Sequence, residues 1–354
     1  MTSTTKQPLE ILLVGFGAVG VVYAYMFEKS AQAKVTAVAR SNFELINQKG
    51  IHIESPSKFG SIPGWKPSRL VHSVEDALDR EYDYVVVTTK SLPDVYPVER
   101  ILEPIIKARK TKTFVLIQNG LGIEEGLYAA SREIDATILT SVCYISTNLH
   151  NNRDEVLFEN TERLEIGVYH PPSIDRPSAE SYKAPSSTES QLADLNRFVE
   201  MLKSGEGNVK IEDDMELIRF KKNVWNCCWA SLACLARAPL MDFIGENEID
   251  LIGPSVLEFC NEVAAIGYKA RLPLPENFGQ FIYDGTVSFR REKGGKHKPS
   301  ALVDLETGRP LEIEVTVGNV LKMARRLNIK DEEIKILRLV YGLGRVLQKK
   351  ALEN

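Results

Sequence analysis

The sequence predicts an α/β fold in which a doubly wound parallel sheet is followed by an all-helical C-terminal domain. Three observations carry this reading. The segment "ILLVGFGAVG" (11–20) runs four apolar residues into glycines spaced G-x-G-x-x-G. Short β-branched runs then recur between helical patterns as far as residue 146, the spacing of strand–helix–strand units. Beyond about residue 213, long segments of helical apolar period replace the strand pattern. The first two observations together specify a Rossmann-type sheet.

The elements follow in order. Ile11–Val14 reads as a buried parallel strand and Ala18–Lys29 as the helix after it. Four more strands come from "KVTAVAR" (34–40), "YDYVVVTTK" (82–90), "TFVLIQNG" (113–120) and "ATILTSVCYIS" (136–146), with a helical pattern from Val95 to Lys107. Two later short strands, "RLEIGVY" and "NVKIEDD", extend the sheet edge. Residues 170–190 are rich in Pro and Ser and poor in large apolar residues, so they form a loop inserted in the first domain. Leu217–Ala236, Ile249–Ile266, Ile313–Leu327 and Asp331–Lys350 carry the helical period. The division is a sheet domain over 1–212 and a helical domain over 213–354, as expected for a chain too long for one core.

Composition narrows the function. A hydrophobic content of 44% and a charged content of 26% are those of a soluble globular protein. The net charge of −4, with Lys and Arg spread along the chain, gives no basic footprint for nucleic acid. The expected partners are small molecules or a second copy of the chain in a homodimer. The uncharged run from Ile11 to Phe27 is shorter than the roughly 20 residues of a membrane-spanning helix and is broken by glycines, so no membrane association is expected. "MTSTTKQPLE" has neither the apolar core of a signal peptide nor the arginines of a transit peptide, and reads as a short disordered tail on a cytoplasmic protein. The cysteines (143, 227, 228, 234 and 260) form no CxxC pair. The three in "NCCWASLACLA" read as helical packing rather than a metal or disulfide site.

Glycine spacing gains meaning from its context, after a strand and before a helix. Gly15 permits the tight turn, Gly17 lets backbone approach a pyrophosphate, and Gly20 allows close helix–strand packing. Phe16, Ala18 and Val19 complete the cradle, and the helix N-terminus offers N–H groups to the phosphates. The second strand ends in Arg40, where an acidic residue would read a ribose 2′-hydroxyl. A guanidinium there pairs with a 2′-phosphate and selects NADP (NADPH). Lys90 ends the next strand and is a candidate for a cofactor phosphate or ribose. Asn119 of "QNG" is a candidate for substrate or the cofactor ribose, although Asn-Gly is also ordinary turn chemistry.

In the helical domain, Lys222 and Asn226 lie four residues apart on one helix face. A lysine desolvated at a cleft wall has its pKa lowered towards neutrality and becomes a usable general acid. Lys221 beside it reads as solvated. Ser300 and Asp304 stand one turn apart, Gly308-Arg309-Pro310 breaks the chain, and Glu312 opens another helix.

These residues, in this order and spacing, resemble the ketopantoate reductases (2-dehydropantoate 2-reductases). The resemblance runs from "GFGAVG" through Arg40, Lys90, "QNG" and the Lys-x3-Asn helix to Ser-x3-Asp-x3-Gly-Arg-Pro-x-Glu, nearly the whole chain. It implies a ketoacid site between an NADP-binding domain and a helical domain. There, hydride from NADPH reduces the C2 ketone of ketopantoate to pantoate, for pantothenate and coenzyme A synthesis. It also implies Lys222 as the general acid, with Glu312, Asn226, Ser300 and Asn119 lining the substrate site. One position departs from the family: its helix often carries a second asparagine four residues beyond the first, and here that place is Ala230. Ser231, the next residue, is expected to point about 100° away. Two other readings remain open, a relative acting on another ketone or hydroxy acid and a non-catalytic NADPH sensor.

Overall fold

The computed structural model describes residues 7–150, 154–172, 183–294 and 298–353. Half of the expected inserted loop (173–182) and the tail to residue 6 lie outside the described residues. The sheet contains β1 (Leu9–Val14), β2 (Ala33–Val38), β3 (Ile51–Ser55), β4 (Gly60–Trp65), β5 (Arg69–Val71), β6 (Tyr84–Val87), β7 (Thr113–Ile117), β8 (Thr137–His150), β9 (Glu155–Val168) and β10 (Val209–Ile211). Its order is β4-β3-β9-β8-β7-β6-β1-β2-β5, with β10 on β9. From β8 across to β5 every pairing is parallel, and the order reverses at β1, where β6 and β2 flank it. Side chains and loops at the carboxyl ends of β1 and β6 therefore open onto the crevice where doubly wound sheets bind ligands.

The sheet is mixed rather than wholly parallel. Of the two late strands expected at the edge, "NVKIEDD" is the short β10, parallel to β9, and "RLEIGVY" is the end of something longer: β8 and β9 run 14 residues each as an antiparallel pair. Beyond them β3 joins β9 in parallel and β4 closes the edge antiparallel to β3. Strands β3, β4 and β5 escaped the sequence reading for physical reasons. "IHIES" alternates with charged or polar residues, "GSIPGW" carries two glycines and a proline of the kind confined to edges, and β5 has three residues.

Helices α1 (Ala18–Lys29), α2 (Phe43–Lys49), α3 (Val98–Ile101), α4 (Glu103–Lys107), α5 (Glu125–Ser131) and α6 (Glu189–Ser204) surround the sheet. On one face Met26 and Phe27 of α1 pack with Phe198 and Leu202 of α6, while Leu102, Ile105 and Leu127 cover the other. Thus the uncharged run through α1 is an internal helix, and no helix among the described residues is long and apolar enough to cross a membrane. Thr188 and Gln191 form a capping box that starts α6 inside the segment expected to be loop.

After β10 come α7 (Met215–Trp225), α8 (Ser231–Ala236), α9 (Leu240–Ile244), α10 (Glu246–Lys269), α11 (Phe278–Lys293), α12 (Ser300–Glu306), α13 (Asn319–Arg326) and α14 (Lys335–Glu353). Their core is separate from the sheet's and buries Cys227, Cys228, Cys234 and Cys260 among Trp229, Phe243 and Phe259. The expected helix 217–236 is not uniform: a π turn, Asn226–Ala230, joins α7 to α8, and a second, Glu314–Gly318, leads into α13.

The three glycines of the first turn have different neighbours. Gly15 takes φ +109°, and a Cβ on it would lie 2.7 Å from the Thr89 nitrogen. A Cβ on Gly20 would fall 2.0 Å from the Gly15 carbonyl oxygen, whereas one on Gly17 would meet nothing within 4 Å. Gly20→Ala is therefore expected to destabilise the fold by ~1–3 kcal/mol through overpacking. Gly17→Ala should keep the wild-type melting temperature but lose dinucleotide affinity. Thermal melts and fluorescence titration with NADPH distinguish them; equal loss of melting temperature in both would refute the separate roles.

Candidate active site

The cofactor side of the crevice is built by the turn after β1. Thr88 donates its hydroxyl to the Gly15 carbonyl at 2.5 Å, and Asn42 donates to the Phe16 carbonyl at 3.0 Å, so the loops after β6 and β2 brace the turn. No side chain caps the start of α1. Its first N–H groups and the open space over Gly17 fit the pyrophosphate of a dinucleotide. Arg40 is exposed just past the end of β2, with its guanidinium carbon 5.7 Å from the Tyr96 ring centroid. That leaves its N–H fork available to a phosphate.

Asn119 and Gly120 follow β7. Gly120 takes φ +102°, and a Cβ on it would be 2.4 Å from Val315 in the second π turn, so "QNG" is the loop on which the helical unit docks. The Leu121 N–H donates to the Val315 carbonyl at 2.8 Å. Beneath lies Arg219 of α7, 4% exposed. It donates to the carbonyls of Gln118 (2.9 Å), Gly120 (3.1 Å) and Ser141 (2.9 Å), and to the Thr140 hydroxyl. Its Nε stands 2.8 Å from Glu124 Oε1, itself in a buried side chain.

One turn further along α7, Lys222 Nζ donates to Asn119 Oδ1 at 2.8 Å and to the Cys143 carbonyl. Its ammonium also stands 5.0 Å from the Tyr144 ring centroid. Two of its three N–H donors are thus used and one remains. Burial pushes its pKa down to about 8, with Arg219 adding repulsion against the opposing pull of Glu312 and Glu165.

Lys90 has partners other than those expected from the sequence. Its Nζ is 2.6 Å from Asp304 Oδ2 and 3.6 Å from Glu312 Oε2. Burial lowers its pKa, but these two carboxylates outweigh burial and raise it. Glu312 Oε1 also accepts the Ser91 N–H at 2.8 Å, and Arg309 Nε lies 3.3 Å from Asp304 Oδ1. The Ser-x3-Asp-x3-Gly-Arg-Pro-x-Glu segment is therefore a clasp that grips the loop after β6. Lys90 is an interdomain tie in this structure. The strand-end position was legible in sequence, but its carboxylate partners lie more than 200 residues away.

Asn119, Asn226, Ser300 and Glu312 do come together, around one cavity. Ala230 and Ser231 line it together, contrary to the expected 100° separation. In a π turn the partner of residue i is i+5, so the segment starting at Asn226 brings Ser231, as well as Ala230, round to the same wall. Ser231 donates its hydroxyl back to the Cys227 carbonyl. Sequence reading missed Arg219, Glu124 and Tyr96. A signal for Arg219 was present: it sits four residues after Met215 and three before Lys222, on the buried stripe of α7.

The ketopantoate reductase PanE/ApbA family pattern matches residues 11–171, and the family's C-terminal pattern matches residues 214–348. An uncharacterised protein of Saccharomyces cerevisiae is 27% identical, over 97% of this chain and 95% of its own length. The crystal structure of 2-dehydropantoate 2-reductase from Methylococcus capsulatus is 25% identical with a TM-score of 0.76, covering 97% of this chain and 98% of that one. A D-mandelate dehydrogenase bound to NADH and anilino(oxo)acetate is similar in fold, with a TM-score of 0.75 at 16% identity, over 96% of this chain and 99% of that one.

Removing one member of the buried Arg219–Glu124 pair leaves a charge without its partner. Arg219→Met is expected to cost ~3–5 kcal/mol in urea unfolding, and the double substitution Arg219→Met with Glu124→Leu less than that. A single variant within 1 kcal/mol of wild type would show that the pair does not anchor the loop.

Proposed function

This chain belongs to the ketopantoate reductase family, a family of nicotinamide-dinucleotide oxidoreductases, and from that premise we propose that it is an NADPH-dependent reductase of 2-ketoacids. The observation that carries the reading is Lys222: an ammonium desolvated at the crevice, held by Asn119 and the Cys143 carbonyl, with a pKa near 8 and one N–H to spare.

Gly15, Phe16, Gly17, Ala18, Val19 and Gly20 would hold the pyrophosphate against the start of α1, and Arg40 the 2′-phosphate. The bound nicotinamide supplies hydride to the C2 ketone carbon. Lys222 stabilises the charge that develops on the ketone oxygen and gives it a proton, so the interaction is strongest in the transition state. Asn226 and Ser300, at the cavity, offer amide and hydroxyl donors to the substrate carboxylate. Glu312 forms part of the wall and is held in place by Lys90 and the Ser91 N–H. Ketopantoate, reduced to pantoate, is the member of the substrate class that the family resemblance names. Ala230 in the cavity wall favours a second reading, a ketoacid without the distal hydroxyl.

Three variants test this in one steady-state assay of NADPH oxidation. Lys222→Ala should lower kcat by ~10²–10⁴-fold with NADPH affinity nearly unchanged, while Lys221→Ala stays close to wild type. Equal losses in both would point to folding instead. Because the acid form donates, kcat/KM for reduction should be level below Lys222's pKa of about 8 and fall as pH rises through it. A profile flat to pH 10 would remove Lys222 as the acid. Arg40→Ala should weaken NADPH relative to NADH by roughly 10- to 150-fold, from loss of a charge-assisted hydrogen-bond pair. An unchanged ratio would refute the assignment of Arg40.

A further inference from the structure

Resting on the 2-ketoacid reading, we infer that the substrate's carbon chain beyond the ketone is wholly apolar, so that ketopantoate's hydroxyl is a liability in this site. The basis is an inventory of the polar groups around the cavity. Six polar residues line it. Four are already engaged by the protein. Asn119 Oδ1 accepts from Lys222, Thr316 donates its hydroxyl to the Glu312 carbonyl at 2.8 Å, and Ser231 donates to the Cys227 carbonyl. The Glu312 carboxylate holds the Ser91 N–H and Lys90.

Only Asn226 and Ser300 keep side chains without a hydrogen bond to a described residue. Together with the remaining N–H of Lys222, they provide donors for a carboxylate and a ketone oxygen, the two groups every 2-ketoacid presents. The Asn119 amide N–H groups are the remaining side-chain donors, and they lie beside Lys222, where its Oδ1 accepts from that ammonium.

The rest of the wall is apolar: Ala230, Leu235, Ala301, Leu311, Val340 and Leu347 among others. One of these stands where polarity was expected: Ala230 replaces an amide that the family helix often carries. A hydroxyl carried into this region gives up its water hydrogen bonds and finds an alkyl surface, whereas a methyl group gains contact there. Ser231 and Thr316, in the same wall, have their protons committed within their own helix turns.

A matched pair of substrates isolates the hydroxyl. Ketopantoate and 3,3-dimethyl-2-oxobutanoate differ only in that group, and both are offered to the full-length protein with NADPH. The expected result is a kcat/KM at least ~10-fold higher for the dimethyl compound, the size set by one buried hydroxyl without a partner. Ala230→Asn, checked for a wild-type melting temperature, should shift the ratio back towards ketopantoate by a similar factor. A wild-type preference for ketopantoate overturns the inference while leaving 2-ketoacid reduction intact; if Ser231→Ala abolishes that preference, Ser231 is the hydroxyl's recogniser. Failure of both compounds and of other branched 2-ketoacids to oxidise bound NADPH would instead overturn the reductase reading itself.

Discussion

The buried guanidinium of Arg219 is the interaction on which the rest of the site depends. It rises from the first helix of the helical unit and satisfies carbonyls at the ends of two parallel strands, Gln118 and Gly120 after β7 and Ser141 in β8. A charge this buried is tolerated only because Glu124 and four oxygen acceptors surround it. Three residues later on the same helix stands Lys222, so the register that satisfies Arg219 also sets the Lys222 ammonium against Asn119. The anchor and the proposed proton donor share one helix.

Electrostatics then separate the two lysines of the crevice. Lys222 has carbonyl and amide partners and a cationic neighbour, and its pKa falls to about 8. Lys90 has two carboxylates, and its pKa rises. Burial lowers both lysines, but only at Lys90 do close carboxylates outweigh it, so the same residue type is pushed in opposite directions. The tie has mechanical value. It joins the loop after β6, which carries Thr88 against the glycine turn, to the clasp of Asp304 and Glu312. The glycine turn and the cavity wall are thereby fixed relative to each other, as the proposed hydride transfer would require.

The two π turns add a further constraint. Each inserts one residue into a helix at the cavity, one presenting Asn226 and Ala230, the other Thr316. The second places Val315 against Gly120, a contact that leaves no room for any side chain at position 120. Widened turns of this kind are often found at functional sites, where they aim side chains that a regular helix would turn away.

Much of this protein was legible in its sequence because it is local. The glycine turn needs only its own neighbours to be recognised, and Gly15, Gly17 and Gly20 have the strain, space and close contact that their spacing implied. The β-branched strands β1, β2, β6 and β7 and the apolar periods of the helical unit were likewise set by nearest-neighbour chemistry. Asn119, Asn226, Ser300 and Glu312 were nameable by motif, and they share a cavity. What the chain alone could not determine is whatever depends on who arrives from far away. Polar alternation in β3 and the edge position of β4 hid the antiparallel half of the sheet until β9 supplied a partner. Lys90 was read for a phosphate because its carboxylates lie more than 200 residues on, and Ser231 was turned away from the cavity by assuming a regular helix. Periodicity reports one element's faces; packing between elements decides which charges meet and where a helix must widen, and those are the facts that give this cleft its chemistry.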